Sequence, residues 1–235
     1  KPPRAPVAHK KLKLGVFRTP EQIAAHDFFD AVFLPPDRFE RGAANGIALP
    51  PVIFDSELPA VKKLIDGARS SGAEYMLVEN IGQLGLAEGF QAIGGTRLNI
   101  FNTAAAEFYL QYLQGVILSP ELILPQIRDI GYKAKGALVY GRLPLMTFAR
   151  RLGGGTTGLC DRTGAVFPVL PEGSRDMLYN SVPVYMADRA SAIKSAGIAL
   201  SLYSFTTETK SEVARIVDAY RRGLPPADTN IRRIK

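Results

Sequence analysis

Eight short β-rich apolar runs alternate with helical patterns along nearly the whole chain, and that alternation restricts its fold more than any other feature. The runs are Leu12 to Phe17, Ala31 to Leu34, Ile47 to Phe54, Glu74 to Val78, Leu98 to Phe101, Val116 to Leu118, Ala137 to Tyr140 and Ile198 to Ser204. Strands separated by helices read as parallel βα units, and a chain of 235 residues has the length of one closed barrel. The expected fold is therefore α/β: a (β/α)8 TIM-type barrel over residues 12–224, with residues 1–11 and 225–235 as linkers. A doubly wound open sheet is the competing arrangement, because no residue pattern by itself proves closure.

Several runs lead directly into a helix-start signal. Thr19-Pro20-Glu21, Ser119-Pro120-Glu121 and Thr207-Glu208 each place a capping side chain before a helical first turn. In ELPAVKKLIDGARSSG the residues Leu58, Val61, Leu64, Ile65 and Ala68 share one helical face, and Gly72 ends the element. Regularity fails between the seventh and eighth runs, where residues 142–197 are far longer than the few residues a βα connection usually needs. LCDRTGAVFPVL reads as a β-hairpin turning at Asp161 to Gly164, DMLYNSVPVYM as a further extended piece, and Asp188 to Ser195 as a short helix. Leaving from the end of a barrel strand, the insertion is expected to lie over the mouth as a hairpin lid.

Composition removes several classes of chemistry. The longest apolar stretches fall well short of the roughly 20 residues that span a bilayer, so no membrane partner is expected. KPPRAPVAHKKLKL reads as an inter-domain linker, which suggests a domain from a longer protein whose other domains are partners. A single cysteine, Cys160, excludes an internal disulfide framework and suits a reducing compartment, hence the cytoplasm. The net charge of +7 is concentrated at the ends: residues 1–13 contribute +5 and residues 221–235 contribute +4, leaving −2 between them. Basic ends of this kind are solvated linkers in the first instance, although they can hold phosphates, so RNA is kept as a partner.

With only His9 and His26, the chain assembles no Ser-His-Asp or Cys-His set. A His/Cys zinc site is excluded by the same count, and no metal is expected; a carboxylate-only site from Asp55, Glu79 or Glu121 is the one metal option left. Polar residues at strand ends face the ligand pocket of such a barrel, namely Arg18, Asp55, Glu79, Asn80, Asn102, Ser119, Glu121, Tyr140 and Arg142. Ser119, Asn102 and Asp55 have a plainer use as helix caps. Glu79-Asn80 and Tyr140-Gly141-Arg142 are followed by no clean helix start, which makes them the better site candidates. Gly153-Gly154-Gly155 lacks phosphate-loop spacing and reads as a flexible tip of the insertion.

The phrases PPVIFDSE, LVENIGQLGL, TRLNIFNTAAAEF, GVILSPEL, GALVYGRLPLM, CDRTGAVFPV and RDMLYNSVP together resemble the collagenase-like peptidase family U32. The likeness runs from about Gly46 to Ser204 and is greatest to the later, cysteine-poor barrel repeat of its long two-repeat members. It implies a barrel that binds or positions substrate for an RNA-modifying hydroxylation protein. A collagenase-like peptidase using carboxylate-activated water, with Glu79 and Glu121 as its carboxylates, is the alternative, and a purely structural repeat a third. Several members of this family hold an iron–sulfur cluster through four cysteines; one cysteine cannot supply them, so no cofactor is expected in this domain. The resemblance adds Arg162 and Arg175 to Asn80, Tyr140 and Arg142 as substrate-binding residues around one pocket, suited to an anionic small ligand because arginine grips carboxylates and phosphates in two prongs. Arg162 and Arg175 have a structural use as well, pairing with Asp161 and Asp176 to pin the hairpin.

Overall fold

A computed structural model describes residues 11–225 and 231–234. The residues expected to form the N-terminal linker thus lie almost wholly outside the described part. Eight strands run parallel: β1 (Leu12–Val16), β2 (Ala31–Leu34), β3 (Gly46–Ala48), β4 (Tyr75–Val78), β5 (Gln91–Gly94), β6 (Gly115–Ile117), β7 (Lys135–Gly141) and, after the insertion, β13 (Leu200–Ser204). Each pairs in parallel with the next, and β13 closes the ring on β1 with Leu12 opposite Leu200 and Val16 opposite Ser204. The sheet is a closed barrel, not an open doubly wound one.

Apolar patterning explains most of these strands and fails at two. Ile47 to Phe54 shortens to β3 because Pro50 and Pro51 have no N–H to give the ladder. Leu98 to Phe101 is not the fifth strand. That place belongs to Gln91–Gly94, whose Ala92 and Ile93 are buried, whereas Leu98 ends a 3-10 turn and Ile100 makes only an isolated bridge to Leu118. The true strand is masked by its small residues: side chains of Leu98 and Leu113 pack where a Cβ on Gly94 would stand.

The outer helices are fewer than the ideal. They are α1 (Leu58–Ser70), α2 (Thr103–Leu110), α3 (Leu124–Asp129), α4 (Ala190–Ser195) and α5 (Lys210–Arg222), while β1, β2 and β4 are followed by 3-10 turns. The helical pattern EQIAAHDFF breaks at Ala25, which takes a left-handed conformation (φ 51°) and turns the chain so that Phe28 and Phe29 enter the core. Of the three expected helix starts, only the last matches an α-helix closely, with Thr209 accepting from the Glu212 N–H and Glu212 bonding back. Phe17, Phe29 and Phe205 interlock in the core, with the Phe17 and Phe205 rings stacked at 4.9 Å.

Between β7 and β13 the chain builds a second sheet instead of a single hairpin. Its strands are β8 (Pro144–Phe148), β9 (Gly158–Cys160), β10 (Val166–Glu172) and β11 (Arg175–Tyr179), antiparallel in the order β8-β11-β10-β9. The expected turn at Asp161 to Gly164 joins β9 to β10, with Asp161 Oδ1 accepting from the Thr163 and Ala165 N–H groups. A short β12 (Val184–Tyr185) then pairs antiparallel with the end of β7. Residues 231–234, linker by composition, lie against this region: Arg232 bridges to Val184 and Arg233 pairs with Asp188. No helix among the described residues is long and apolar enough to cross a membrane.

Candidate active site

The second sheet is tied to loops that follow three different barrel strands. After β1, Arg18 Nη2 donates to the Pro171 carbonyl. After β3, Glu57 accepts from Arg175 Nη2 (2.8 Å) and from Ser174 Oγ (3.0 Å), and the Arg175 guanidinium lies 4.0 Å over the Phe54 ring. After β5, Arg97 Nη2 reaches Thr147 Oγ1 at 3.4 Å. The insertion therefore meets the barrel at the C-terminal ends of its strands, where parallel barrels carry their chemistry.

Two carboxylates sit in this seam. Glu79 follows β4, and its Oε2 accepts from the Arg97 backbone N–H at 2.8 Å. Burial drives its pKa up to about 7, partly offset by that N–H and by the Arg97 guanidinium, with the Glu172 charge pushing the same way as burial. The carboxylate rests against Gly95, where a Cβ would stand 2.3 Å from it, so glycine is required for its position. Glu172, the last residue of β10, is the cross-strand partner of Arg175. Its pKa is also raised, by burial, against the pull of Arg18, Arg97 and Arg175. Tyr179, at the end of β11, completes the group: burial and the Glu172 charge lift its hydroxyl to about 12 despite the nearby Arg18 and Arg97.

The backbone beneath these side chains is fixed by a repeated device. Gln83 Oε1 accepts from the Glu79 N–H (2.8 Å) while its Nε2 donates to the Pro50 carbonyl. Four residues after Arg18, Gln22 Oε1 accepts from the Arg18 N–H (2.8 Å), and its Nε2 donates to the Glu208 carbonyl. In FRTPEQ and VENIGQ a glutamine thus stands four places beyond a charged residue at a strand end, a signal present in the sequence that composition and capping rules pass over.

Of the residues singled out from sequence, the structure brings Arg18, Glu79 and Arg175 into this group. Tyr140 and Arg142 belong to an adjoining layer. The Tyr140 hydroxyl donates to Glu208 Oε1 (2.9 Å) within an aromatic cluster, and Arg142 holds the Asn180 and Ser181 carbonyls while its Nε finds no acceptor. Asn80 is a cap: its Oδ1 accepts from the Gly82 N–H and its Nδ2 donates to the Pro51 carbonyl. Glu121 is exposed, its N–H directed to Ser119 Oγ, and no hydrogen bond joins it to Glu79. Arg162 stands exposed at the β9–β10 turn. Neither arginine pins the hairpin as expected, since Arg175 pairs with Glu57, and Asp176 pairs with Arg151 at 2.6 Å. Glu172, Tyr179 and Arg97 were not singled out. Cys160 is the chain's one cysteine, and among the described residues no group of three His, Cys, Asp or Glu side chains is placed to hold a metal ion.

These elements define a closed parallel βα barrel whose mouth joins two carboxyl groups of raised pKa to arginines. No family model matches the chain. It is 32% identical, over 81 residues, to a protein of Methanocaldococcus jannaschii named uncharacterized protease MJ0090, a match covering 34% of this chain and 20% of that protein. Over 93 residues it is 26% identical to a collagenase of Porphyromonas gingivalis, covering 39% of this chain and 22% of the relative. The matched segment spans about a fifth of each relative. Among solved structures, the spore cortex-lytic enzyme SleL of Bacillus megaterium aligns over 97% of this chain and 76% of its own, at 10% identity and a TM-score of 0.40, too loose a likeness to bear on activity. The chain is thus distantly similar to proteases, one of them a collagenase.

Proposed function

We propose that this chain is the barrel domain of a peptidase-class hydrolase, spanning residues 12–224 with residues 142–197 as its lid, in which Glu79 activates water against a peptide bond and Glu172 steadies the arginines beside it. The observation that carries this reading is the half-buried position of Glu79 beside the Arg97 N–H at the end of β4, with its pKa near neutrality and a second carboxyl delivered by the insertion. A group that gains and loses a proton near pH 7 is suited to acid–base work. The ionised Glu79 takes a proton from water as the water oxygen bonds to the scissile carbonyl carbon. Arg97, already tied to Glu79 through its backbone, faces the charge developing on the carbonyl oxygen. As the C–N bond breaks, the proton passes to the leaving amine nitrogen, and Glu172 steadies Arg97 and Arg18 beside it. Water and one peptide bond become a carboxylic acid and an amine.

The names of the two matched proteases and the resemblance to family U32 both support a peptidase over an RNA-positioning domain, and no observation favours the latter. Within that reading Glu79 keeps the role expected from sequence, and Glu172 takes the place expected of Glu121.

The test is hydrolysis of gelatin and of short synthetic peptides by the whole chain, followed through repurification. Cleavage that tracks the protein, rises through about pH 7 and falls by about 100-fold or more in Glu79→Gln supports the proposal. Unaltered cleavage in both Glu79→Gln and Glu172→Gln rejects it.

A further inference from the structure

Arg18 is held with unusual care for a residue outside the carboxylate pair. Gln22 fixes its N–H, Arg38 Nη1 donates to its carbonyl at 3.3 Å, and its guanidinium lies between the Pro171 carbonyl and the Tyr179 hydroxyl of the insertion. It is half-buried, and among the described residues it makes no direct ion pair, although its charge acts on both Glu172 and Tyr179. A guanidinium has five donors in a planar fork matched to a carboxylate, and here one donor is committed to the Pro171 carbonyl and another is turned to the Tyr179 hydroxyl. Nearby, Arg175 Nε is buried without an acceptor, on a side chain only 6% exposed. The seam therefore holds one buried N–H that the protein does not satisfy, beside an Arg18 guanidinium that has no carboxylate of its own among the described residues.

The roof over this seam is tied down beyond β1, β3 and β5. A polypeptide passing through in both directions has to break ties on opposite sides, whereas a chain end enters past one. We propose that the Arg18 guanidinium, with the Tyr179 hydroxyl, seats the free C-terminal carboxylate of a peptide, so that the site acts at chain ends and not within chains; this rests on the hydrolase reading above. RNA has matching charge, but an extended phosphate chain needs a continuous basic face, and residues 14–220 carry a net charge of −2.

The experiment uses one synthetic peptide made as the free acid and as the C-terminal amide, with binding to Glu79→Gln measured by calorimetry at two salt concentrations. The free acid is expected to bind about tenfold more tightly than the amide. Adding Arg18→Gln is expected to erase that ratio while leaving amide binding in place, and Arg18→Lys, which keeps the charge without the fork, to restore only part of it. Tyr179→Phe provides a second reading if Arg18→Gln melts early: the ratio shrinks with the fold intact. Equal binding of acid and amide overturns the inference, as does a single-stranded RNA oligonucleotide that binds tightly while neither peptide does. Absence of any peptide cleavage by the wild-type chain, with the acid-to-amide binding ratio preserved, removes the hydrolase reading and leaves the carboxylate seat standing.

Discussion

The barrel and its insertion are held together by different forces. In the barrel, parallel ladders enclose side chains such as Phe33, Ile47, Met76 and Ile93, all essentially without solvent contact, and burial of apolar area is the stabilising term. The insertion is an antiparallel sheet with Leu145, Met146, Leu159 and Val166 exposed, and polar contacts through Arg18, Arg97, Arg175 and Glu57 are prominent where it meets the barrel. One part is a rigid base and the other a docked attachment. The proposed pair draws one carboxylate from each, so the chemistry depends on the weaker junction.

The largest effect expected comes from attacking the base. Phe33→Ala removes a fully buried ring and is expected to cost about 3–5 kcal/mol, lowering the melting temperature of the whole molecule. Loss of protection in the insertion alone, by hydrogen exchange, would contradict the division drawn here. Gly95→Ala is expected next, at about 1–3 kcal/mol, because the new methyl displaces the Glu79 carboxylate. Hydrolysis should fall with it, and a variant with wild-type stability and turnover would show that the close approach is unimportant.

Arg175→Ala should act on the junction: amides of β8 to β11 exchange faster while those of β1 to β7 keep their protection. The same contact has a pH signature. Bonding to Arg175 and to the Phe54 N–H holds Glu57 down at about 2, so its contribution is complete above the ordinary value of 4.5 and is lost as pH falls through about 2. Glu57→Gln should flatten the stability curve on that acid side. Glu79 works in the opposite sense. Its raised pKa means that the folded state holds a proton the unfolded chain has released, so stability declines from pH 4.5 through about 7, and Glu79→Gln should remove that decline. At the smallest end, Arg162→Ala is expected to change stability by less than about 0.5 kcal/mol, as for an exposed turn residue.

The base was far more legible in the sequence than the attachment. The strands Ala31–Leu34 and Lys135–Gly141 are buried along their whole length, and their segments Ala31 to Leu34 and Ala137 to Tyr140 read as continuous apolar runs, a signal that needs no partner to be seen. Gln91–Gly94 escaped because its packing depends on glycine yielding room to Leu98 and Leu113, a property of neighbours. Glu79 was visible as a polar residue directly after an apolar strand. Glu172 was not, since its meaning arises only when β10 and β11 pair in the register that sets it against Arg175, and when that sheet meets the loops beyond β1, β3 and β5. Register in an insertion without an apolar stripe is weakly written in local sequence. Tyr140 is ambiguous for a related reason: a hydroxyl at a strand end reads the same whether it meets a ligand or a buried glutamate, and its bond here is to Glu208.

In the proposed mechanism a carboxyl of the barrel and a carboxyl of the insertion act in one site, and titration of Glu79 reports whether they do. With selectively carbon-13-labelled glutamate, the Glu79 carboxyl carbon should titrate with a midpoint near 7 in the wild-type chain. In Glu172→Gln that midpoint should fall while staying above the ordinary value of 4.5, because burial remains and the neighbouring negative charge is gone. A midpoint near 4.5 in both proteins, or one near 7 that ignores the loss of Glu172, would contradict the account.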